Sequence, residues 1–292
     1  MTLRDFVPPV AFSVARRLVP RPRRKRYGTY EEALADCPEN GYANADIVQV
    51  VLEKTKPYRD RVFRTEAPLQ LSATSAYSLC SLLGSVESQE INVIDFGGAC
   101  GAHYFLARAL LPSSCKLNWI VVETPAMARR AGAVLATDEL GFSSDLSAAA
   151  ASLKRVDLIH TSGTLQYIDK PYDCLRALVS VSASQILFNR LGLTRGQQDV
   201  ITVQEAWLSG NGPGPMPRGI PDRKLRFPCI FPKESEFYDA IGETYDVVMK
   251  FDDPSGIFPV DDEPIIGVGL LARRKRSIGS LQHGPAARGR AA

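Results

Sequence analysis

The stretch Val93-Ile94-Asp95-Phe96-Gly97-Gly98-Ala99-Cys100-Gly101 decides the fold. An apolar run ends in an acid and breaks into glycines, and a helical pattern follows from His103 to Leu111. A buried parallel strand feeding a tight turn and then a helix N-terminus reads this way. Glycine lets the backbone come close to a ligand, and the first turn of a helix offers unpaired N–H groups. A second apolar run, Trp119 to Val122, ends in Glu123. It sets an acid roughly 20 residues beyond the turn, where doubly wound nucleotide-binding units hold a ribose. The pair predicts a ligand of the adenosine type.

Working outward, strands are expected at 91–96, 117–123, 156–161 and 184–190, with a short one near 140–143. Helical patterns at 101–111, 125–136, 145–153 and 171–181 alternate with them. Such alternation implies a parallel sheet with right-handed crossovers. Residues 193–231 are rich in Gly and Pro, with Gly210-Asn211-Gly212-Pro213-Gly214-Pro215 at the centre, and read as a long loop or lid. A helix at 233–242 and strands from Tyr245 to Phe251 and Ile265 to Arg273 complete the α/β unit.

Before the sheet, Tyr30 to Leu34, Asp46 to Lys56 and Ser72 to Leu83 read as helices, and Thr29-x-x-Glu32 is a capping box. The expected organisation is a basic amphipathic leader (1–28), a helical N-terminal cap (29–90), a Rossmann-like domain (91–274) and a disordered basic tail (275–292).

The 292 residues are 45% hydrophobic and 23% charged, as a globular protein with a real core requires. Residues 16–26 carry seven positive charges and residues 273–290 six more, so the rest of the chain is net acidic at about −10. An acidic body argues against a nucleic-acid enzyme. Basic ends suit an anionic surface. Val10, Val14 and Leu18 give the leader a short apolar face, so peripheral docking on the inner face of an anionic membrane is one expectation. A leader helix packed on its own domain is the other. The N-terminus lacks the pattern of a secretory signal, and cytoplasmic placement is expected. The six cysteines form no CxxC pair and the three histidines lie far apart, so neither a metal site nor a disulfide framework is expected.

Taken together, the chain resembles a class I S-adenosylmethionine-dependent methyltransferase. More narrowly, it is similar to a bacterial family of such enzymes with unassigned substrates, often found with surface-polysaccharide biosynthesis genes. The matching stretches include Gly28 to Leu34, Gly41-Tyr42, Asp95 to Tyr104, Val122-Glu123-Thr124-Pro125, Leu165-Gln166-Tyr167-Ile168, Pro171-Tyr172 and Ile201 to Gln204. They spread over most of residues 28–274. Ala99 departs from the usual Asp-x-Gly-x-Gly-x-Gly at its middle glycine.

The resemblance implies S-adenosylmethionine as cofactor. It assigns Asp95, Gly97, Gly98 and Gly101 to the methionine end, Glu123 to the ribose hydroxyls, and Tyr104 and Gln166 to cofactor packing. Asp145 sits near the adenine amine or, equally, caps the next helix. His160, ending the fourth strand, is either a general base on the acceptor or a hydrogen-bonded core histidine. Tyr167, Tyr172 and Arg190 are expected at the acceptor, Arg190 as a clamp for a carboxylate or phosphate or as a structural ion pair. The implied reaction is methyl transfer to an oxygen or nitrogen of a small-molecule or glycan-precursor acceptor. Alternatives are a methyltransferase-like binding module without catalysis and a nicotinamide-dependent oxidoreductase. The second lacks Tyr-x-x-x-Lys, and no GKS or GKT supports a P-loop.

Overall fold

The computed structural model describes residues 24–37, 44–64, 72–84 and 90–276. The leader helix, its membrane docking, Gly41-Tyr42 and the tail beyond residue 276 lie outside the described residues. The strands are β1 (Arg26–Tyr27), β2 (Glu90–Phe96), β3 (Lys116–Val122), β4 (Leu140–Ser143), β5 (Leu158–Ser162), β6 (Gln185–Thr194), β7 (Val200–Trp207), β8 (Lys224–Phe231), β9 (Tyr245–Asp252) and β10 (Ile265–Arg274). The helices are α1 (Tyr30–Ala35), α2 (Ala45–Arg64), α3 (Ala73–Gly84), α4 (Ala102–Leu110), α5 (Pro125–Leu135), α6 (Leu146–Ser152), α7 (Pro171–Ser180) and α8 (Glu234–Gly242).

Seven strands form one sheet in the order β4-β3-β2-β5-β6-β10-β9. The β2–β3, β2–β5, β3–β4 and β5–β6 pairs are parallel. Strand β10 runs antiparallel between β6 and β9. This is a Rossmann-like doubly wound α/β sheet with antiparallel β10 inserted toward one edge. Its order reverses between β2 and β5, which opens a crevice at the carboxyl ends of those strands.

Alternation along the central strands divides the core between two faces. On one face Val93, Trp119, Val121, Leu158 and Leu187 pack with α2 to α5. On the other Ile94, Val122, Ile159, Ile186 and Phe188 pack with α6 to α8. Helices α2 and α3 thus contribute to the core on the first face. Among the described residues no helix is long and apolar enough to cross a membrane.

One sequence expectation is corrected. Residues 193–231 are no open loop, because β7 and β8 form an antiparallel hairpin that takes β1 on its other edge. Pro228, which weakens the strand signal, pairs with Val203 on edge strand β8, where a missing N–H is tolerated. The Gly/Pro connection is latched rather than lid-like. Buried Lys54 of α2 donates to the carbonyls of Ser209 (2.7 Å) and Asn211 (2.6 Å). Gly212 lies so close that a Cβ there would stand 3.2 Å from Val51 Cα.

The first described residues join the small sheet. Arg26 bonds Glu263 at 2.6 Å, Arg24 approaches Glu205 at 3.6 Å, and Lys25 stacks over Tyr27. Arg26 thus ties the small sheet to the β9–β10 connection, while the Arg24–Glu205 and Lys25–Tyr27 contacts stay within the small sheet. Helix α1 packs on the same sheet, and its capping box forms: Glu32 N–H donates to Thr29 Oγ1 (3.1 Å) and Gly28 N–H to Glu32 Oε2 (2.9 Å).

Candidate functional site

Strand β2 ends at Phe96, and the chain then reverses through three left-handed residues: Gly97 (φ 73), Ala99 (φ 52) and Gly101 (φ 78). The turn is packed from both sides. A Cβ on Gly97 would lie 2.1 Å from Thr164 Oγ1, and one on Gly98 2.4 Å from the Asp95 carboxyl carbon. Ala99 departs from glycine at a position whose backbone favours it, a conformation that costs an ordinary residue about 1–2 kcal/mol.

The end of β3 closes on this turn. Glu123 Oε1 accepts the Ala99 N–H at 3.2 Å, and Oε2 accepts the Thr124 N–H at 2.7 Å. Burial pushes the Glu123 carboxyl up, against the pull of these two donors. The structure thus brings together Asp95, Gly97, Gly98, Gly101 and Glu123.

Beside the turn lies a second polar group. Asp95 and His160 are register partners on β2 and β5, so their side chains share a face. His160 Nδ1 stands 2.8 Å from Asp95 Oδ1. Its Nε2 is 3.2 Å from both Ser78 Oγ on α3 and Asn189 Nδ2 on β6. His103, in the first turn of α4, points Nδ1 at Asp95 Oδ2 from 3.6 Å, and the two imidazole rings meet at 4.5 Å. Asp95 and His160 are each 1% exposed. Burial disfavours the Asp95 charge, but the two histidines outweigh it and hold the carboxyl well below its usual range. Burial pushes the His160 imidazole down, opposed by Asp95.

Three buried atoms of this cluster find no hydrogen-bond partner: Asp95 Oδ2, His103 Nδ1 and Asn189 Oδ1. Each such group ordinarily costs about 1–3 kcal/mol. The histidines also line a largely apolar cavity with Ser75, Ser78, Leu82, Leu106 and Trp119. Because both His160 nitrogens are engaged and the ring is buried, it does not face an acceptor as an exposed base.

The other expected residues are placed as follows. Asp145 caps α6, its Oδ1 accepting the Ala148 N–H at 2.8 Å, with its side chain exposed. Tyr104 is 4% exposed and gives its hydroxyl to Glu139 at 3.0 Å, so it is spent on the core rather than brought to the turn. Gln166 is buried with its Oε1 unpaired. Tyr167 donates to Gln204 Oε1 at 2.6 Å and joins the main sheet to the small one. Tyr172 donates to Asp199 Oδ1 (2.7 Å) and accepts the Lys233 N–H (3.1 Å), which makes it a pin at the start of α7. Burial pushes its phenol up, with Asp199 adding to the effect.

Arg190 stands exposed at left-handed φ 50, its N–H held by Asp253 Oδ2 at 3.0 Å. Its guanidinium reaches the Ser162 carbonyl at 3.4 Å and lies over Gly163, where a Cβ would stand 2.5 Å from Nη2. It thus stands beside the carboxyl end of β5, midway along β6. Sequence reasoning missed Ser78 and Asn189. Asn189 shares its face with His160 by strand alternation, a usable signal, whereas nothing marked Ser78.

No family model matches the chain, and no curated protein matches it. Solved structures resemble it at low identity. The N-terminal domain of EvdMO1 with SAH bound is 13% identical, with 76% of this chain and 97% of that one covered and a TM-score of 0.44. Magnesium protoporphyrin IX methyltransferase from Synechocystis PCC 6803 is 13% identical, with 79% and 100% covered and a TM-score of 0.43. An amino pentose methyltransferase from Micromonospora echinaspora is 11% identical, with 72% and 100% covered and a TM-score of 0.43. The strand order and register, rather than these likenesses, define the fold.

Proposed function

We propose that the chain is an S-adenosylmethionine-dependent methyltransferase acting on an oxygen or nitrogen of a small, sugar-like acceptor. The observation that carries this reading is the half-buried Glu123 carboxylate, bonded to the Ala99 N–H across the left-handed turn. It unites a ribose-holding acid with a turn whose backbone lies open to the methionine end. Asp95 to Gly101 would seat the methionine part, and Glu123 would accept both ribose hydroxyls.

The cofactor supplies an electrophilic methyl on sulfur. The chain's part is to hold donor and acceptor in line and exclude water. The exposed Arg190 beside the carboxyl end of β5 suits an anionic group on the acceptor. A role in surface glycan biosynthesis rests on the sequence resemblance. His160 is assigned a buried role in holding Asp95 instead of direct proton abstraction.

Calorimetric titration with S-adenosylmethionine, its demethylated product, NADH and NADPH tests the reading. Both sulfur ligands should bind with one-to-one stoichiometry, and Gly97→Val, which drives a side chain into Thr164, should abolish that binding. Binding of a nicotinamide cofactor instead, or of none of the four, would refute it.

A further inference from the structure

The geometry points to a divalent transition-metal site formed by Asp95, His103 and His160, independent of the methyl-transfer reading. Their ligand atoms come from β2, α4 and β5 and all lie within 4.8 Å of one another. The nearest separations are 2.8 Å from Asp95 Oδ1 to His160 Nδ1 and 3.6 Å from Asp95 Oδ2 to His103 Nδ1. Ligands of a tetrahedral zinc-class ion, bonded at about 2.0–2.2 Å, stand about 3.3 Å apart. The cluster is therefore close to a coordination shell without rearrangement of the backbone.

The unpaired atoms favour the same occupant. Asp95 Oδ2 and His103 Nδ1 are buried and point at each other from beyond hydrogen-bond distance. One cation between them satisfies both. The carboxylate and two neutral imidazoles give a donor set suited to zinc, iron(II) or cobalt(II) rather than calcium or magnesium.

An outer layer is also present. With Nδ1 on the ion, His160 Nε2 carries the proton, and metal-bound histidines hold that proton on an oxygen. Ser78 Oγ lies 3.2 Å away. Turning the Asn189 amide over puts its Oδ1, an acceptor, at the same nitrogen. Three protein ligands leave a coordination position open, as in catalytic rather than structural sites. Both histidines line the cavity under α3, so a small polar group entering it comes within reach of the ion. A hydroxyl bound to such an ion gives up its proton more readily.

The test uses the full chain, stripped by chelator and dialysed, titrated with Zn²⁺ by calorimetry and with Co²⁺ by visible absorption. One equivalent should bind, with ligand-field bands of a nitrogen and oxygen shell. His103→Gln and His160→Asn should each lose the bound equivalent, and Asn189→Leu should weaken it by about 10–100-fold. His283→Gln, which removes the third histidine, should change nothing. Melting curves establish that each variant folds. His103 is 29% exposed at its side chain, so His103→Gln decides if His160→Asn does not fold. Failure of the parent chain to bind either ion, binding unchanged in His103→Gln, or a thiolate charge-transfer band from cysteine would overturn the assignment. Each result is independent of whether S-adenosylmethionine binds.

Discussion

Replacing Glu123 by alanine tests the ribose assignment. In the structure its two oxygens are already engaged, by the Ala99 N–H at 3.2 Å and the Thr124 N–H at 2.7 Å. Each carboxylate oxygen has a second acceptor direction, so two ribose hydroxyls can be taken without displacing the backbone donors. A hydrogen bond to an ionised group contributes about 1.5–3 kcal/mol, so losing two costs about 3–6 kcal/mol, or roughly 10²- to 10⁴-fold in affinity. Burial already leaves the Glu123 charge short of solvent, which favours the upper part of that range. The assay is calorimetric titration of the demethylated cofactor, with melting curves as a control for folding. Glu123→Gln should lose nearly as much, because its amide turns N–H toward one of the two backbone donors. An affinity unchanged within about twofold, in a Glu123→Ala variant that melts like the parent, refutes the assignment.

Cofactor affinity should fall on the acid side at a pH above the ordinary carboxylate value of 4.5, because the Glu123 value is raised and the ionised form is the acceptor. The same raised value means that the ligand-free chain loses stability from this group as pH climbs through it, and a pH series of affinities and melting points checks both signs. Gly267→Ala should destabilise by about 1–3 kcal/mol, toward the upper end because its Cβ would meet the Asp253 carbonyl oxygen at 2.2 Å. Gly242→Ala, with no atom within 4 Å, should leave the urea midpoint unchanged or raise it. Tyr172→Phe should cost about 0.5–1.5 kcal/mol in urea unfolding by removing the pin between Asp199 and the Lys233 N–H, with cofactor affinity unaffected.

The central sheet was legible because its strands are apolar runs that stop at turn residues. Ile94 and Val121 are buried on opposite faces, as continuous rather than alternating hydrophobicity announces. The turn after Phe96 and the acid at 123 carry their chemistry in local sequence, so their juxtaposition followed from the parallel pairing alone. The β7–β8 hairpin was not legible. Its strands flank sixteen residues dense in glycine and proline, and Pro228 interrupts the second, so composition outweighed alternation. What closes the hairpin onto the body is Lys54, a charged residue on a mostly apolar helix face. Nothing in its neighbourhood announces two carbonyl partners far along the chain.

The histidines show why a site can escape a sequence while its fold does not. Ligand spacing is readable when the ligands share a helix or a loop, but His103 follows the turn on α4 and His160 sits on β5, with two strands and two helices between them in the chain. They meet through Asp95, which is also the last acid before the glycine turn. The turn needs glycine at 98 because a Cβ there would strike the Asp95 carboxyl, and that same carboxyl is held by His160 across the β2–β5 register. The nucleotide-type turn and the histidine cluster are therefore one construction seen from two sides. A change that rotates Asp95 must disturb both, whereas Glu123 touches only the turn and His103 only the cluster. That separation lets the two assignments stand or fall independently.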